Sequence, residues 1–360
     1  MDNKKEIIEV TSKTFEFLKN LKTSMGKSEN NWDDWFSTYF NLHKATPDAE
    51  TIEQIFQNAT YEKYYDEWIQ NFTNNLFHIW SEHSASELKL IKTSNPSSLV
   101  IGRGPSIKKN NHLEVISQSD YDGTIVCCDG SLTNALNAGI TPDKFPNFYV
   151  ITIDSQQRQK LCYDHDIVRQ YGQKIKCIFS TTVSPLTYME AKKSNMEIYW
   201  LNTLFDYNNG KNSFNYISNH MIKTKNHTTG LPAIQTGGNV GTSAWVVSWA
   251  ILKKSVIGLI GIDHGYSSDD RTEHDHLLPQ EIDRNSAAFK RAYPILYNPE
   301  FDCYCQQDPI FQYYSNAFKE FIERTSSKIK TINATEGGAL FGKFIECMTL
   351  KEFLRQNTIT

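Results

Sequence analysis

The sequence is poor in several features that would place it at once, and each absence excludes something. It has no apolar run near the ~18 residues needed to span a bilayer. Its first residues, MDNKKEIIEV, lack the apolar stretch of a secretory leader. These two absences predict no membrane partner and a cytoplasmic protein. Basic charge is not in excess: 37 Lys and Arg stand against 41 Asp and Glu, for a net charge of -4. That balance lacks the broad positive field that nucleic acid requires, so no nucleic-acid partner is expected. The seven cysteines include no CxxC pair, which excludes the ordinary zinc and disulfide frameworks and leaves reduced thiols. No G-x-S-x-G elbow is present, so an α/β-hydrolase nucleophile is excluded.

Glycine is nearly missing from residues 1–95, where Gly26 stands alone among four of the seven tryptophans. Segment 5–23 spaces Ile8, Phe15, Leu18 and Leu21 in a mostly helical pattern. Segment 30–43 places Trp32, Trp35, Phe36, Tyr39 and Phe40 on one helical face. Thr46-Pro47-Asp48 reads as a helix start, and 60–83 continues the stripe with Tyr61, Tyr64, Tyr65, Trp68, Phe72, Phe77 and Trp80. Such a stripe predicts a helical cap whose aromatics are core. The competing reading is an aromatic face that stacks a ligand or a partner.

From residue 96 onward the texture changes. Short apolar runs at 98–101, 124–128, 148–153, 176–179, 197–201, 256–260 and 329–332 alternate with helical patterns. Runs of this kind are buried parallel strands with helical crossovers. The expectation is an α/β, Rossmann-like fold: a mostly parallel sheet with helices on both faces, spanning 96–360, plus the aromatic-rich helical region 1–95. The polar stretch 206–230 reads as a loop or lid.

In open parallel sheets, ligands sit beyond the carboxyl ends of the strands. The first run ends in Gly102-Arg103-Gly104-Pro105-Ser106, a tight turn whose N–H groups would cradle phosphate. The third glycine of the dinucleotide fingerprint is missing, and no Gly-Lys-Ser/Thr follows, so neither an NAD site nor a P-loop is supported. Asp129, Asp154 and Asp263 follow three further runs, and carboxylates gathered there hold Mg²⁺ beside substrate phosphates. Gly237, Gly238, Asn239 and Thr242 open a strongly apolar helix, a second place for an anion or a hydroxyl. His264 follows Asp263, and His274-Asp275-His276 is a weak metal pattern. Asn333 and Glu336-Gly337-Gly338 follow the last run as a polar turn.

The ordered set GRGPS, CDGS, GITPD, VITID, GGNVGTSA, GIDHGY and NATEGGALFG resembles the MptE-like family, which includes archaeal 6-hydroxymethyl-dihydropterin diphosphokinases. It is also similar to the central domain of the Maf flagellin glycosyltransferases, itself related to certain bacterial sialyltransferases. The resemblance covers about 96–355. It implies a nucleotide with its phosphates near Gly102, Gly104 and Ser106, with Arg103 a departure inside that turn, and further ligand contacts from Gly238, Asn239, Thr242 and Asn333; Arg103 and Gly237 are candidate binding residues beside them. It implies ATP as co-substrate with Mg²⁺ on Asp154 and Asp263, and catalytic roles for Asp263, His264 and Glu336; Asp129, where relatives often carry Asn, is a metal candidate from its strand-end position alone. The expected partners are a nucleotide and a small-molecule substrate. Residues 1–95 are the expected contact for a homo-oligomer or a protein acceptor. Two activities follow from the resemblance: diphosphoryl transfer from ATP to a pterin hydroxymethyl, or glycosyl transfer from a CMP-linked nonulosonic acid. A nucleotide-binding protein without catalysis is the third reading.

Overall fold

The computed structural model describes residues 49–91, 93–206, 210–223, 228–267, 285 and 287–359. The expected segments 5–23 and 30–43, the helix start at 46–48, and His274-Asp275-His276 lie outside the described residues.

The strands are β1 (His83–Ser84), β2 (Ser97–Ile101), β3 (Thr124–Cys128), β4 (Phe148–Thr152), β5 (Lys176–Ser180), β6 (Glu197–Thr203), β7 (Ala233–Ile234) and β8 (Val256–Ile260). They continue as β9 (Ile295–Asn298), β10 (Cys303–Gln306), β11 (Lys330–Asn333) and β12 (Ile345–Cys347). One sheet runs in the order β1-β6-β5-β4-β3-β2-β8-β11-β12, with β7 joined to β6, and every pairing in it is parallel. Strands β9 and β10 form a separate antiparallel pair. All seven apolar runs are strands of the large sheet. The short β1, in a stretch expected to be helical throughout, adds an edge strand beside β6.

Alternation along the central strands sends side chains to two cores. Leu99, Ile101, Ile125, Cys127, Val150 and Phe179 face one, and Val100, Val126, Cys128, Ile151 and Ile178 face the other. Both faces must be covered, because a strand apolar on both sides cannot meet water. The helix Ala49–Ser81 covers the first face with Phe72 and Ile79. The helices Val240–Ala250 and Pro309–Thr325 cover the second with Trp245, Val247, Phe318 and Ile322. Burying a side chain such as Phe72 stabilises by about 1.5–3 kcal/mol. The first core therefore runs across residue 95, where composition changes.

The stretch 206–230 is not simply a loop. Its helix Phe214–Ile222 packs Phe214 edge-on against Phe72, with ring centroids 5.2 Å apart. All seven cysteines are free.

The chain lays β2 to β6 outward in sequence, then returns to set β8 on the other side of β2. This reversal is a topological switch point, the place where an open parallel sheet parts at its carboxyl end and leaves a crevice.

Candidate functional site

The crevice at the switch point is real and has two connected lobes. The first, about 430 Å³, is lined by Gly102, Arg103 and Gly104 after β2, Asp129 and Gly130 after β3, and Gly261, Asp263 and His264 after β8. The second, about 690 Å³, opens over β4 to β6 between Asp154, Gln156 and Arg158 and an aromatic wall of Tyr61, Tyr64, Trp68, Phe205, Tyr313 and Tyr314. Asp129, Gln159, Asn239, Val240 and Tyr314 line both lobes and so mark their junction.

The glycine turn after β2 works differently from a phosphate cradle. Gly102 N–H donates to Ile260 O and Gly104 N–H to Gly261 O, each at 2.8 Å. A Cβ on Gly102 would overlap Gly261 O, and one on Gly104 would overlap Asp263 Oδ2. The two glycines are there because two strand ends touch. Their N–H groups are spent on that contact, so neither is free to cradle a phosphate. Arg103, between them, reaches over Gly130 and lies close enough to Asp129 to favour its charge.

Ser106 Oγ donates to Asp263 Oδ2 at 2.9 Å, and Asp263 O accepts from Ala339 N–H, which holds the Asp263 turn against the last loop. Asp154 accepts from Gln156 N–H at 3.0 Å and from Gln159 Nε2 at 2.6 Å. Asp129 is buried and accepts from Gly130 N–H at 2.7 Å. Burial, its first cause, and the nearby Asp154 carboxylate push its pKa up to about 6, against the bonds from Gly130 and Thr152. The three aspartates share one crevice, but they are spread along it. Among the described residues, no group of three His, Cys, Asp or Glu side chains is placed to hold a metal ion.

His264 sits at φ 47° with its ring stacked 15° from that of Phe311. Burial, and then the Lys319 charge, lowers its pKa to about 3. At neutral pH it is an uncharged ring in an aromatic wall, so it brings no positive charge to the crevice. Asn239 caps Val240–Ala250: its Oδ1 accepts from Thr242 N–H at 2.9 Å, and its Nδ2 is turned to Gly237 O and Thr242 Oγ1. Thr242 is buried. Gly237 and Gly238, at φ 59° and 81°, bend the chain into that cap, and Gly238 lines the second lobe.

The polar turn after β11 faces elsewhere. Asn333 is buried and gives both its functions to its own loop, through Leu340 O at 2.7 Å, Gly337 O at 3.3 Å and Thr335 N–H at 2.8 Å. Glu336 accepts Leu350 N–H at 2.9 Å and lies 3.5 Å from His112 Nε2, so it anchors the helix Leu350–Asn357. Neither lines a lobe of the cleft.

Sequence reasoning passed over Gln159 and Tyr314 at the junction, because nothing in a lone Gln or Tyr marks it. It also passed over the wall of the second lobe except as one of two readings of the stripe. That stripe divides: Phe72 and Ile79 are core, whereas Tyr61, Tyr64 and Trp68, about two turns earlier, line the cleft.

A family described as 6-hydroxymethylpterin diphosphokinase MptE-like matches residues 70–269. No curated protein matches the chain. Among solved structures, the Maf glycosyltransferase from Magnetospirillum magneticum AMB-1 is similar in fold, with a TM-score of 0.55 at 13% identity. That match covers 86% of this chain and 48% of the other, so the chain spans about half the length of that relative. Among the described residues, no helix is long and apolar enough to cross a membrane.

Proposed function

The chain belongs to the MptE-like family, and on that premise we propose that it is a transferase that moves a group from a nucleotide donor to an acceptor hydroxyl across the junction of the two lobes. The first lobe takes the donor, since it lies at the switch point and carries Arg103 and the first turn of Val240–Ala250, where Val240 and Gly241 line the wall. The acceptor enters the second lobe. The observation that carries the reading is Asp129: a buried carboxyl common to both lobes, with a pKa raised to about 6. A base poised near neutrality, between donor and acceptor, is what abstraction of a hydroxyl proton requires.

In the reading we favour, the donor is ATP and the transferred group is a diphosphoryl. The acceptor hydroxyl oxygen attacks the β-phosphorus, the bond from that phosphorus to the α,β-bridging oxygen breaks, and AMP leaves. The hydroxyl proton passes to Asp129. Arg103 offsets phosphate charge, and the cleft walls hold the two reactants in line. Asp154 and Asp263 lie in different lobes and do not form one donor set; either carboxylate alone would share Mg²⁺ with the substrate phosphates. Bound there, Mg²⁺ would neutralise phosphate charge. His264 serves as an uncharged wall beside the donor.

A second reading is glycosyl transfer from a CMP-linked nonulosonic acid. The observation in its favour is the second lobe, whose aromatic wall with hydroxyl and amide groups also suits a saccharide acceptor. Thermal shifts separate the two. The diphosphoryl reading expects stabilisation by ATP with Mg²⁺, and AMP release when 6-hydroxymethyl-7,8-dihydropterin is added. Stabilisation by CMP alone, indifferent to Mg²⁺, would overturn it in favour of the second.

A further inference from the structure

The wall of the second lobe comes largely from outside the family match. Tyr61, Tyr64 and Trp68 precede residue 70, and Tyr313 and Tyr314 follow residue 269, whereas Asp129 and the switch-point turns lie within the match. The floor of the lobe thus lies within the matched segment, and its aromatic wall comes mainly from two helices that flank it.

The first of these helices is held in place firmly. Asn71 Nδ2 donates to Ser155 O and to Thr182 O, each at 3.0 Å. One turn on, Asn75 Nδ2 donates to Thr181 O at 3.2 Å and Val183 O at 2.8 Å. Both asparagines are buried, and their acceptors stand just past the carboxyl ends of β4 and β5. The helix Ala49–Ser81 is therefore pinned to the strand ends that form the floor of the lobe, and one to two turns upstream it presents its rings. Trp68 packs on Phe205 with centroids 4.8 Å apart, and Tyr64 lies stacked with Trp68 at 6.3 Å. Tyr64 Oη accepts from Gln156 Nε2 at 2.9 Å, which fixes the ring that borders the floor. Opposite, the helix Pro309–Thr325, which packs on Ala49–Ser81, supplies Tyr313 and Tyr314. Between the walls the floor carries the neutral polar groups of Gln156, Gln159, Thr182, Thr203 and Thr236, together with the charged Asp129, Asp154 and Arg158.

We propose that this lobe is an acceptor subsite for a compact ring that stacks one flat face on the Tyr64–Trp68 wall and offers hydroxyl or amide edges to the floor. Aromatic walls reward a flat face through dispersion and ring electrostatics. Neutral hydroxyl and amide groups bond uncharged polar edges without the desolvation cost of an ion. A simple alkyl alcohol or a linear peptide offers neither match. Acceptor choice thus resides in Tyr64 and Trp68, and Asn71 and Asn75 are positioning residues for that wall. The subsite rests on the donor-and-acceptor reading above.

The test uses the full chain, with 6-hydroxymethylpterin and lactose as the heterocyclic and saccharide ring probes and ATP or CMP as the nucleotide probe. One ring probe is expected to quench tryptophan emission in the wild type. Trp68→Ala should weaken its binding, followed by thermal shift, at least tenfold, and Trp68→Phe should restore most of the affinity. In all three proteins the nucleotide-induced thermal shift should agree within twofold, which also reports that the variants fold. Which probe binds tells the heterocycle from the saccharide. Undiminished binding in Trp68→Ala, or failure of both ring probes in a wild type that still binds nucleotide, overturns the subsite. A wild type that binds neither nucleotide counts instead against the donor reading beneath it.

Discussion

Replacing Asp129 with asparagine should make the protein more stable and stop its chemistry. The side chain is buried, and burial pushes its pKa from the ordinary 3.8 up to about 6. A carboxyl whose folded pKa lies above its unfolded one holds its proton longer in the native state. Between those two values the native state binds more protons than the unfolded one, so stability falls as pH rises through that window. Above about 6 the full penalty is in place, and a difference of that size corresponds to about 3 kcal/mol. Asn removes the charge and keeps an oxygen to accept Gly130 N–H. For a chain of this length, about 3 kcal/mol is about 4 °C in melting temperature. Melting curves from pH 4 to pH 8 should therefore show the variant gaining on the wild type as pH rises, with the gain nearly complete by pH 7 and absent near pH 4. Group transfer should drop about 100-fold or more for loss of the base. A variant that melts lower than the wild type at pH 7.5, or gains equally at every pH, would refute the claim that an ionised carboxyl is held there against its preference.

Gly104→Ala forces a methyl onto Asp263 Oδ2 and toward Gly261 O; it should cost about 1–3 kcal/mol in denaturant unfolding and abolish nucleotide-induced stabilisation. Asn75→Leu leaves Thr181 O and Val183 O without their side-chain donor and should cost about 1–3 kcal/mol, read by the same unfolding curves. Glu336→Gln tests whether that residue is structural. Its pKa is lowered, chiefly by His112 and also by the Leu350 N–H bond, against the opposing effect of burial. A lowered pKa contributes stability above the ordinary 4.5 that is lost as pH falls through the folded value. The variant should therefore melt lower than the wild type at pH 7, by about 1 kcal/mol after solvent screening, lose that deficit progressively as pH falls below 4.5, and keep its turnover number. Arg103→Ala should weaken binding of ATP more than that of AMP in titration calorimetry, because the guanidinium answers phosphate charge.

The fold was legible because its signal is repeated. Each apolar run from Leu99 to Ile332 carries the same statement, that a strand is buried on both faces, and helical crossovers make such strands parallel. The crevice was legible for a related reason: polar and glycine-rich residues at the carboxyl ends of many strands have few uses beyond a shared site. The assignment of roles within it was less legible. Asn333 and Glu336 share the motif-like look of the site residues, yet their bonds go to Leu340 O and to Leu350 N–H. Linear order places a residue at a strand end but leaves open which neighbour's orphaned N–H or C=O it must satisfy. The aromatic stripe shows the same limit. From Tyr61 to Ile79 the helical period is continuous, and only the edge of the sheet decides where burial stops and the cleft begins.

The glycine turn after β2 makes the point most sharply. A phosphate loop and this turn need glycine for different reasons: in one the backbone must approach a ligand, and in the other it must approach a second strand end. The residues look alike, since both require a missing Cβ. What distinguishes them is the strand order. Because β8 returns to lie beside β2, Gly102 and Gly104 meet Ile260 O and Gly261 O, and their donors are consumed. A nucleotide in this crevice must then be held by side chains and by the helix Val240–Ala250. On the proposed function, charge recognition would shift to Arg103, and Asp129, Gln159 and Tyr314 at the junction would decide what meets the donor.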